Sequence, residues 1–421
     1  MTIFFDSLET RSPDAREEAL MAALPLQIAH AQSKTASFAA ILDGVNAHAI
    51  NSRAALSQLP VTRKYELLER QLAERLAGGG NAFGGFSALQ YGPHMPRVFA
   101  SPGTIYEPEG ARKDYWRMAR ALFAAGFRAG ELIHNSFSYH FVPAGSIMET
   151  GAHALGCTVF PGGTGQTEQQ VQAMSELRPA GYMGTPSFLK IIVDKAEEMK
   201  VALPTVTKAL VSGEAFPPSL RDWLAARGIE GYQSYASADL GLIAYETEAR
   251  EGLVLDEGII VEIVRPGTGE PVADGEVGEV VVTTLNPDYP LIRFGTGDLS
   301  AVLPGMCATG RSNIRIKGWM GRADQTVKIR GMFVHPGQVA AIVRRFPEVL
   351  KARLVVSGEM ANDLMTFQVE TSAPAEMQAA LGQRIAEAIR DVTKLRGTVV
   401  FTSPGSLLND GKVIEDTRSY Q

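Results

Sequence analysis

The sequence has few cysteines, no long apolar run and no excess of positive charge, and each shortage excludes a class of protein. Cys157 and Cys307 lie far apart in a chain of 421 residues, so they form neither a disulfide framework nor a CxxC metal site; we interpret both as buried or incidental thiols. No stretch has the roughly 18 uninterrupted apolar residues of a membrane-spanning helix. The net charge of −6 argues against a nucleic-acid surface, which needs excess basic charge.

The remaining composition is that of a soluble globular protein, with 45% hydrophobic and 20% charged residues. A chain of 421 residues is expected to form two or three domains. The first twenty residues carry acidic side chains early and have no basic stretch before an apolar one, which is unlike a secretory signal. We therefore expect a cytoplasmic protein with no membrane partner.

Helical and strand-like patterns alternate through much of the chain. Between residues 113 and 163 the order is helix, strand, helix, strand, which predicts a parallel sheet with crossover helices and ligand-binding loops at one edge. Residues 252–285 instead alternate as strands with hairpin turns, which predicts a β-rich subdomain. After residue 330 a helix, strands and a second helix predict a small α+β unit of about 95 residues. The predicted fold class is α/β.

Two glycine-containing motifs follow one another in the second half of the chain. YPLIRFGTGDLS places Asp298 at the end of a predicted strand, and GWMGRADQTVKIRG places Arg322 and Asp324 in a polar turn before another strand. Either motif alone is also typical of a plain hairpin turn. In this order and at this distance they resemble the adenylate-forming enzymes, especially the phenylacetate-CoA ligase branch, over residues 59–415.

The resemblance implies a large N-terminal domain and a small, mobile C-terminal domain, here residues 1–322 and 323–421. In the family the Asp of the first motif holds the ribose hydroxyls of ATP, and the Arg-x-Asp turn joins the two domains. At the matching positions we expect Asp298 and Arg322 to bind the nucleotide, and Asp324 to be the hinge.

A turn at Ser101, Gly103 and Thr104 follows a short predicted strand. Its hydroxyls and amides can face a phosphate group, and relatives carry here a Ser/Thr/Gly-rich loop, usually ending in Lys, around the β- and γ-phosphates of ATP. The match is partial, because no Lys follows nearby and bulkier or acidic residues replace small ones at four positions: Pro102, Ile105, Tyr106 and Glu107. A plain turn remains the alternative.

Two later segments match family segments that contact the nucleotide: Ser212, Gly213, Glu214 and Ala215 in one, and Tyr235, Ala236 and Ser237 in the other. The resemblance places the aromatic ring beside adenine and the hydroxyl near the α-phosphate. It also implies that Asp239, where relatives have Glu, is a catalytic carboxylate that binds Mg²⁺. A capped helix start is the structural alternative for this segment.

The acid substrate and the last catalytic group are also implied by the resemblance. Tyr139, His140 and Phe141 lie in a loop after a predicted strand, where relatives line the pocket for the acyl group, although a lone His is more often structural. Lys412, in a Gly-Lys turn near the C-terminus, matches the lysine that approaches the α-phosphate and the substrate carboxylate. A solvated terminal lysine is the alternative.

The implied activity is that of an ATP-dependent acid-thiol ligase. A carboxylate, expected to be aromatic, attacks Mg·ATP to give an acyl-adenylate and pyrophosphate, and coenzyme A then displaces AMP. In the family, rotation of the small domain withdraws the lysine between the two steps. The implied partners are a small organic acid, ATP and coenzyme A, and the sequence leaves a homodimer open. Two rivals remain: an adenylating enzyme with a non-CoA acceptor, and a nucleotide-binding homologue without catalysis.

Overall fold

The computed structural model describes residues 3–78, 80–102, 104–323, 327–330, 332–334, 336–359, 362–408 and 412–418. The chain divides into a larger unit, Met1–Gly321, and a smaller unit, Arg322–Gln421. Two predicted site positions, Gly103 and Asp324, lie outside the described residues.

The helices of the larger unit begin where the sequence supplies caps. The first has Ser12 at its N-cap, where the hydroxyl accepts a hydrogen bond from Ala15 N, and proline at its first position. Thr185 caps a later helix in the same way. In chain order the helices are α1 (Pro13–Lys34), α2 (Ala36–Ile41), α3 (Arg53–Leu56), α4 (Lys64–Leu76), α5 (Ala119–Ala124), α6 (Ala144–Leu155), α7 (Thr167–Leu177), α8 (Pro186–Glu198) and α9 (Pro218–Ala225), with 3-10 helices at Ser7–Thr10 and Ala47–Ala49.

The strands of the larger unit are short and rich in β-branched and aromatic residues. In chain order they are β1 (Thr62–Arg63), β2 (Arg97–Ser101), β3 (Ile105–Glu109), β4 (Leu132–Asn135), β5 (Thr158–Pro161), β6 (Gly181–Gly184), β7 (Lys208–Val211), β8 (Glu230–Ser237), β9 (Gly241–Glu246), β10 (Leu253–Leu255), β11 (Ile259–Val264), β12 (Gly278–Thr284), β13 (Phe294–Ser300), β14 (Val302–Leu303) and β15 (Arg315–Ile316).

Within the described residues the largest sheet has nine strands, in the order β14-β15-β10-β9-β8-β7-β6-β4-β5. The strands from β8 to β5 pair in parallel, whereas β8 and β9 pair antiparallel. Helices α6 to α9 connect the parallel strands, so the loops that follow β4, β6 and β7 meet at one edge. This confirms the predicted α/β class.

A second sheet of the larger unit has the order β1-β13-β12-β11. Strands β11 and β12 form an antiparallel hairpin, and the two-residue strand β1 pairs in parallel with β13, the strand that carries Asp298. Strands β2 and β3 form a separate hairpin in which Ser101 pairs with Ile105. The predicted phosphate turn is therefore the tip of a β-hairpin.

The smaller unit has its own buried core, which includes Val356, Phe367, Ile385 and Ile389. Its main sheet has the order β20-β19-β18-β21, with β21 parallel to β18. The elements are β16 (Val327–Ile329), β17 (Met332–Val334), α10 (Pro336–Val343), β18 (Val349–Glu359), β19 (Asn362–Thr371), α11 (Ala375–Thr393), β20 (Thr398–Thr402) and β21 (Ile414–Asp416). Across the described parts of both units, no helix combines the length and the apolar character that crossing a membrane requires.

Candidate active site

Asp298 on β13 receives a hydrogen bond at each of its carboxylate oxygens. The Tyr235 hydroxyl donates to Oδ2 over 2.8 Å, and Trp319 Nε1 donates to Oδ1 over 3.1 Å. Thr296 Oγ1 lies 3.2 Å from the same Tyr235 hydroxyl. Asp298 and Tyr235 are both half-buried, so the carboxylate is oriented by protein groups and still reachable by a ligand. The two predicted nucleotide-binding motifs thus meet.

Asp239 lies in the turn of the antiparallel β8-β9 hairpin. The alternative prediction of a helix start here is wrong, because residues on both sides of the turn pair as strands. Asp239 is only 5% exposed. Its Oδ2 accepts a hydrogen bond from Lys64 Nζ over 2.7 Å, while its Oδ1 is buried and has no hydrogen-bond partner among the described residues.

Glu107 occupies the base of the predicted phosphate turn. Its carboxyl group accepts hydrogen bonds from Ser101 N over 3.2 Å and from Ser101 Oγ over 2.5 Å. Complete burial raises the pKa of Glu107 to about 8, although the nearby Lys64 ammonium opposes that rise. Thr104 at the tip is exposed and has a left-handed backbone, with φ of 62°. The Ser101 hydroxyl therefore faces Glu107, whereas the Thr104 side chain is open to solvent.

The predicted adenine segment follows β7, at the edge where the parallel strands end. Ser212 Oγ donates to Ser234 O over 2.7 Å and so ties the end of β7 to β8. Gly213 has φ of 83°, a left-handed conformation that suits glycine. Glu214 is exposed and accepts a hydrogen bond from Ser187 N over 2.7 Å.

Three further predicted positions lie in this region. Ala215 is half-buried between β7 and α9, and Ala236 and Ser237 are half-buried at the end of β8. The register of β8 shifts between Tyr235 and Ala236, and Ser237 Oγ accepts from Leu240 N over 3.2 Å. Ala215, Ala236 and Ser237 thus lie at the strand ends near Tyr235, and their nucleotide contacts stay predictions.

The predicted substrate residues follow β4. Tyr139 is half-buried, accepts a hydrogen bond from Asn135 Nδ2 over 2.8 Å and donates one to Glu149 over 2.7 Å. The pKa of the Tyr139 hydroxyl is raised, mainly by burial and secondly by the Glu149 carboxylate. His140 is exposed, and Phe141 is 82% exposed. The structure orients Tyr139 and leaves the other two side chains at the surface, so their role in acid binding stays a prediction.

In the smaller unit, Arg322 is half-buried and Lys412 is exposed, two residues before β21. Arg353, which is 4% exposed, donates to Leu408 O over 3.0 Å and to Glu415 over 3.1 Å. The chain is therefore anchored on both sides of Lys412.

Three residues that touch this site were not predicted from the sequence. Lys64 contacts Asp239, Glu107 holds the phosphate turn, and Trp319 holds Asp298. The absence of a lysine after the turn was a signal to look for a cation elsewhere, and Glu107 was noticed only as a departure from the family pattern. For Trp319 the sequence carried no signal, because its contact with Asp298 depends on the path of the chain after β15.

The residues at Asp239 fit a magnesium ion. Among the described residues no group of three His, Cys, Asp or Glu side chains is placed to hold a metal by itself. Mg²⁺ in nucleotide sites is usually held by one or two carboxylates together with substrate phosphates and water. A single buried carboxylate with one unpaired oxygen suits that mode of binding.

Comparisons with known proteins point to one family. A sequence profile of the family described as AMP-binding enzyme matches residues 115–286. The phenylacetate-coenzyme A ligase of Thermus thermophilus is 29% identical over 413 residues, 90% of each chain. The phenylacetate-coenzyme A ligase of Aromatoleum evansii is 30% identical over 390 residues, 88% of this chain and 85% of that one.

The fold also matches a solved structure over its whole length. A crystal structure of 2-hydroxyisobutyryl-CoA ligase with 2-HIB-AMP and CoA has a TM-score of 0.85 and covers 100% of this chain and 93% of that one. Its identity of 22% supports a shared fold.

Proposed function

This chain belongs to the phenylacetate-coenzyme A ligase family of AMP-binding enzymes, and from that premise we propose that its substrate is an aromatic acid of the phenylacetate or benzoate kind. The chain is an AMP-forming acid-CoA ligase that uses ATP, Mg²⁺ and coenzyme A. Relatives named phenylacetate-coenzyme A ligase, between 26% and 30% identical over most of the chain, support the aromatic substrate.

The reaction has two steps at one site. In the first, a carboxylate oxygen of the acid attacks the α-phosphorus of ATP, pyrophosphate leaves and an acyl-adenylate forms. In the second, the thiolate of coenzyme A attacks the acyl carbon, AMP leaves and a thioester forms. Positioning and charge stabilisation are the main contributions a protein can make to the first step.

The contact between Tyr235 and Asp298 is the observation that carries the nucleotide assignment. A carboxylate held by two donors can accept hydrogen bonds from paired ribose hydroxyls without having to reorient. We assign that role to Asp298. We assign two roles to Tyr235: its hydroxyl orients Asp298, and its ring lies beside the adenine. Ser212 and Ser237 lie at the ends of neighbouring strands, which supports contacts to the same nucleotide.

Asp239 is the proposed protein ligand of Mg²⁺. Its Oδ1 has no hydrogen-bond partner among the described residues, which supports this role. When bound, the ion neutralises charge on the phosphates. Lys412 is proposed to stabilise the charge that develops as the adenylate forms. Its exposed position, between two segments that Arg353 holds, supports this role.

A screen of carboxylic acids tests this function. Purified protein would be incubated with Mg·ATP and aryl acids, or with short acyl and hydroxy acids, and pyrophosphate release would be measured with and without coenzyme A. We expect the highest release with aryl acids, and a thioester product only when coenzyme A is present. Preference for a short hydroxy acid would refute the aromatic substrate alone. Adenylation followed by transfer only to an amine or a carrier thiol would instead favour a non-CoA acceptor.

A further inference from the structure

The predicted phosphate turn brings no positive charge of its own. Residues 101–110 contain neither Lys nor Arg. Both the backbone amide and the hydroxyl of Ser101 already donate to the Glu107 carboxyl group. A triphosphate that approached this turn would therefore need a cation from another element.

Lys64, the first residue of α4, places an ammonium group at this position. Its Nζ lies 2.7 Å from Asp239 Oδ2 and 3.9 Å from Glu107 Oε1. The Asp239 and Glu107 side chains are at most 2% exposed, whereas that of Lys64 is 38% exposed. The ammonium thus lies between two buried acidic groups and solvent, where a charged ligand can reach it.

Hydrogen bonds before and after Lys64 in the chain fix the position of this residue. Thr62 N donates to Arg293 O over 3.0 Å, which fixes β1 beside β13 immediately before the lysine. About two turns further along α4, the fully buried Gln71 donates to Tyr106 O over 3.0 Å and accepts from Tyr106 N over 2.8 Å. Helix α4 is therefore pinned against β3, the strand that carries Glu107.

The charges of this cluster change in a defined way when a metal and a phosphate arrive. Before a ligand binds, Lys64 and Asp239 form an ion pair over 2.7 Å, and the Glu107 carboxyl group lies 3.9 Å from the same ammonium. A divalent ion that binds Asp239 replaces the ammonium as its counter-charge. A phosphate oxygen of the same ligand is an anion that the Lys64 ammonium can then bind.

We propose that Lys64 is the cation of the phosphate site, binding the pyrophosphate portion of ATP in place of a lysine within the turn. The proposal rests on the proposed function, since it takes Mg·ATP as the ligand and Asp239 as the metal ligand. Arg75 is another basic residue of the same helix and serves as the comparison. Its guanidinium lies 5.3 Å from the Tyr106 ring centroid and 3.4 Å from Thr104 O. The Arg75 side chain therefore packs against the β2-β3 hairpin.

Equilibrium binding of Mg·ATP and of AMP to the whole chain tests the proposal. The variants are Lys64→Ala, Lys64→Arg and, as the matched control, Arg75→Ala. We expect Lys64→Ala to weaken ATP binding about tenfold or more, and AMP binding by less than about twofold, since AMP lacks the β- and γ-phosphates. Lys64→Arg should recover part of the ATP affinity, and Arg75→Ala should leave it within about twofold.

The possible failures separate the proposal from the function on which it rests. Equal weakening of ATP and AMP by Lys64→Ala, together with a lower melting temperature, would make Lys64 a structural residue and overturn the proposal. Unchanged ATP binding in Lys64→Ala, or a larger loss in Arg75→Ala, would overturn it as well. If the wild-type chain bound neither nucleotide, the proposed function itself would fail.

Discussion

The Tyr235 hydroxyl donates to Asp298 Oδ2 over 2.8 Å, which joins two residues that are 63 positions apart in the chain. Tyr235 belongs to the nine-stranded sheet, and Asp298 belongs to the four-stranded sheet of the larger unit. With Trp319 on the other oxygen, the carboxylate is oriented before any nucleotide binds. Such preorganisation reduces the entropy that binding would otherwise cost.

Replacing Tyr235 with Phe should weaken ATP binding and have little effect on the rate of the chemical steps. The ring stays, but one hydrogen bond to a charged group is lost, and we expect the KM for ATP to rise about fivefold, or about 1 kcal/mol, with kcat within about twofold. Pyrophosphate-release kinetics measure both constants. Tyr232→Phe on the same strand is the control. An unchanged KM in Tyr235→Phe would show that Asp298 does not depend on this contact.

Replacing Lys412 with Ala should affect the two half-reactions unequally. Adenylation should fall about 100-fold or more, because developing charge on the phosphate loses its cation. Thioester formation from supplied acyl-AMP should change by less than about threefold, since that step starts after the α-phosphorus has reacted. Lys394→Ala, at the end of α11, removes an equal charge from the same unit as a control. An equal loss in both half-reactions would contradict the assigned role.

The stability of the larger unit should depend on the protonation of Asp114. Burial raises the pKa of this carboxyl group from 3.8 to about 7, so the folded state holds a proton that the unfolded chain releases. The free energy of unfolding therefore falls as pH rises from about 4 to about 7. In Asp114→Asn this fall should be smaller by up to about 4 kcal/mol, measured by urea denaturation at several pH values.

Asn is a suitable replacement at this position. Asp114 has φ of 51°, a conformation that Asn tolerates, and its side chain accepts from Ala119 N over 3.2 Å, which the Asn oxygen can also do. Identical pH profiles for the two proteins would refute the assigned pKa.

Arg293 should prove structural, although it lies in the same motif as Asp298. It is 1% exposed, and it donates to both oxygens of Glu262. It also donates to backbone carbonyl oxygens of three residues: Ser57, Leu59 and Gly269. Arg293→Met leaves a buried acid unpaired and should destabilise the protein by about 3–5 kcal/mol.

Thermal unfolding with and without AMP would check this prediction for Arg293. The exposed Arg265, in the turn of the β11-β12 hairpin, provides the control variant Arg265→Met. A wild-type melting temperature combined with loss of ATP binding would instead place Arg293 in the nucleotide site.

Secondary structure was the most predictable level of this protein. The predicted order of helix, strand, helix, strand between residues 113 and 163 corresponds to α5, β4, α6 and β5. These elements follow local rules, because apolar periodicity and glycine or proline turns are set by neighbouring residues. The segment around Asp239 was ambiguous because its hydroxyl and acidic residues suit both a helix cap and a hairpin turn, and pairing with β9 decides between them.

The side-chain partners of the site were the least predictable level. The motifs marked Asp298, Tyr235 and Asp239 as positions of interest, but not which groups hold them. Trp319 contacts Asp298, and Lys64 contacts Asp239, through the packing of sheets and helices that no local pattern encodes.

Local sequence therefore accounts for the α/β class, the order of the elements and the identity of the motif residues, since each of these depends on short-range periodicity and turn chemistry. Tertiary packing alone brings Lys64 to Asp239 across 175 positions of sequence and buries Glu107 beside them. The physical reason is that burial and the distance between charges depend on which strands pair and which helix covers them, and these same quantities decide the charge of the site.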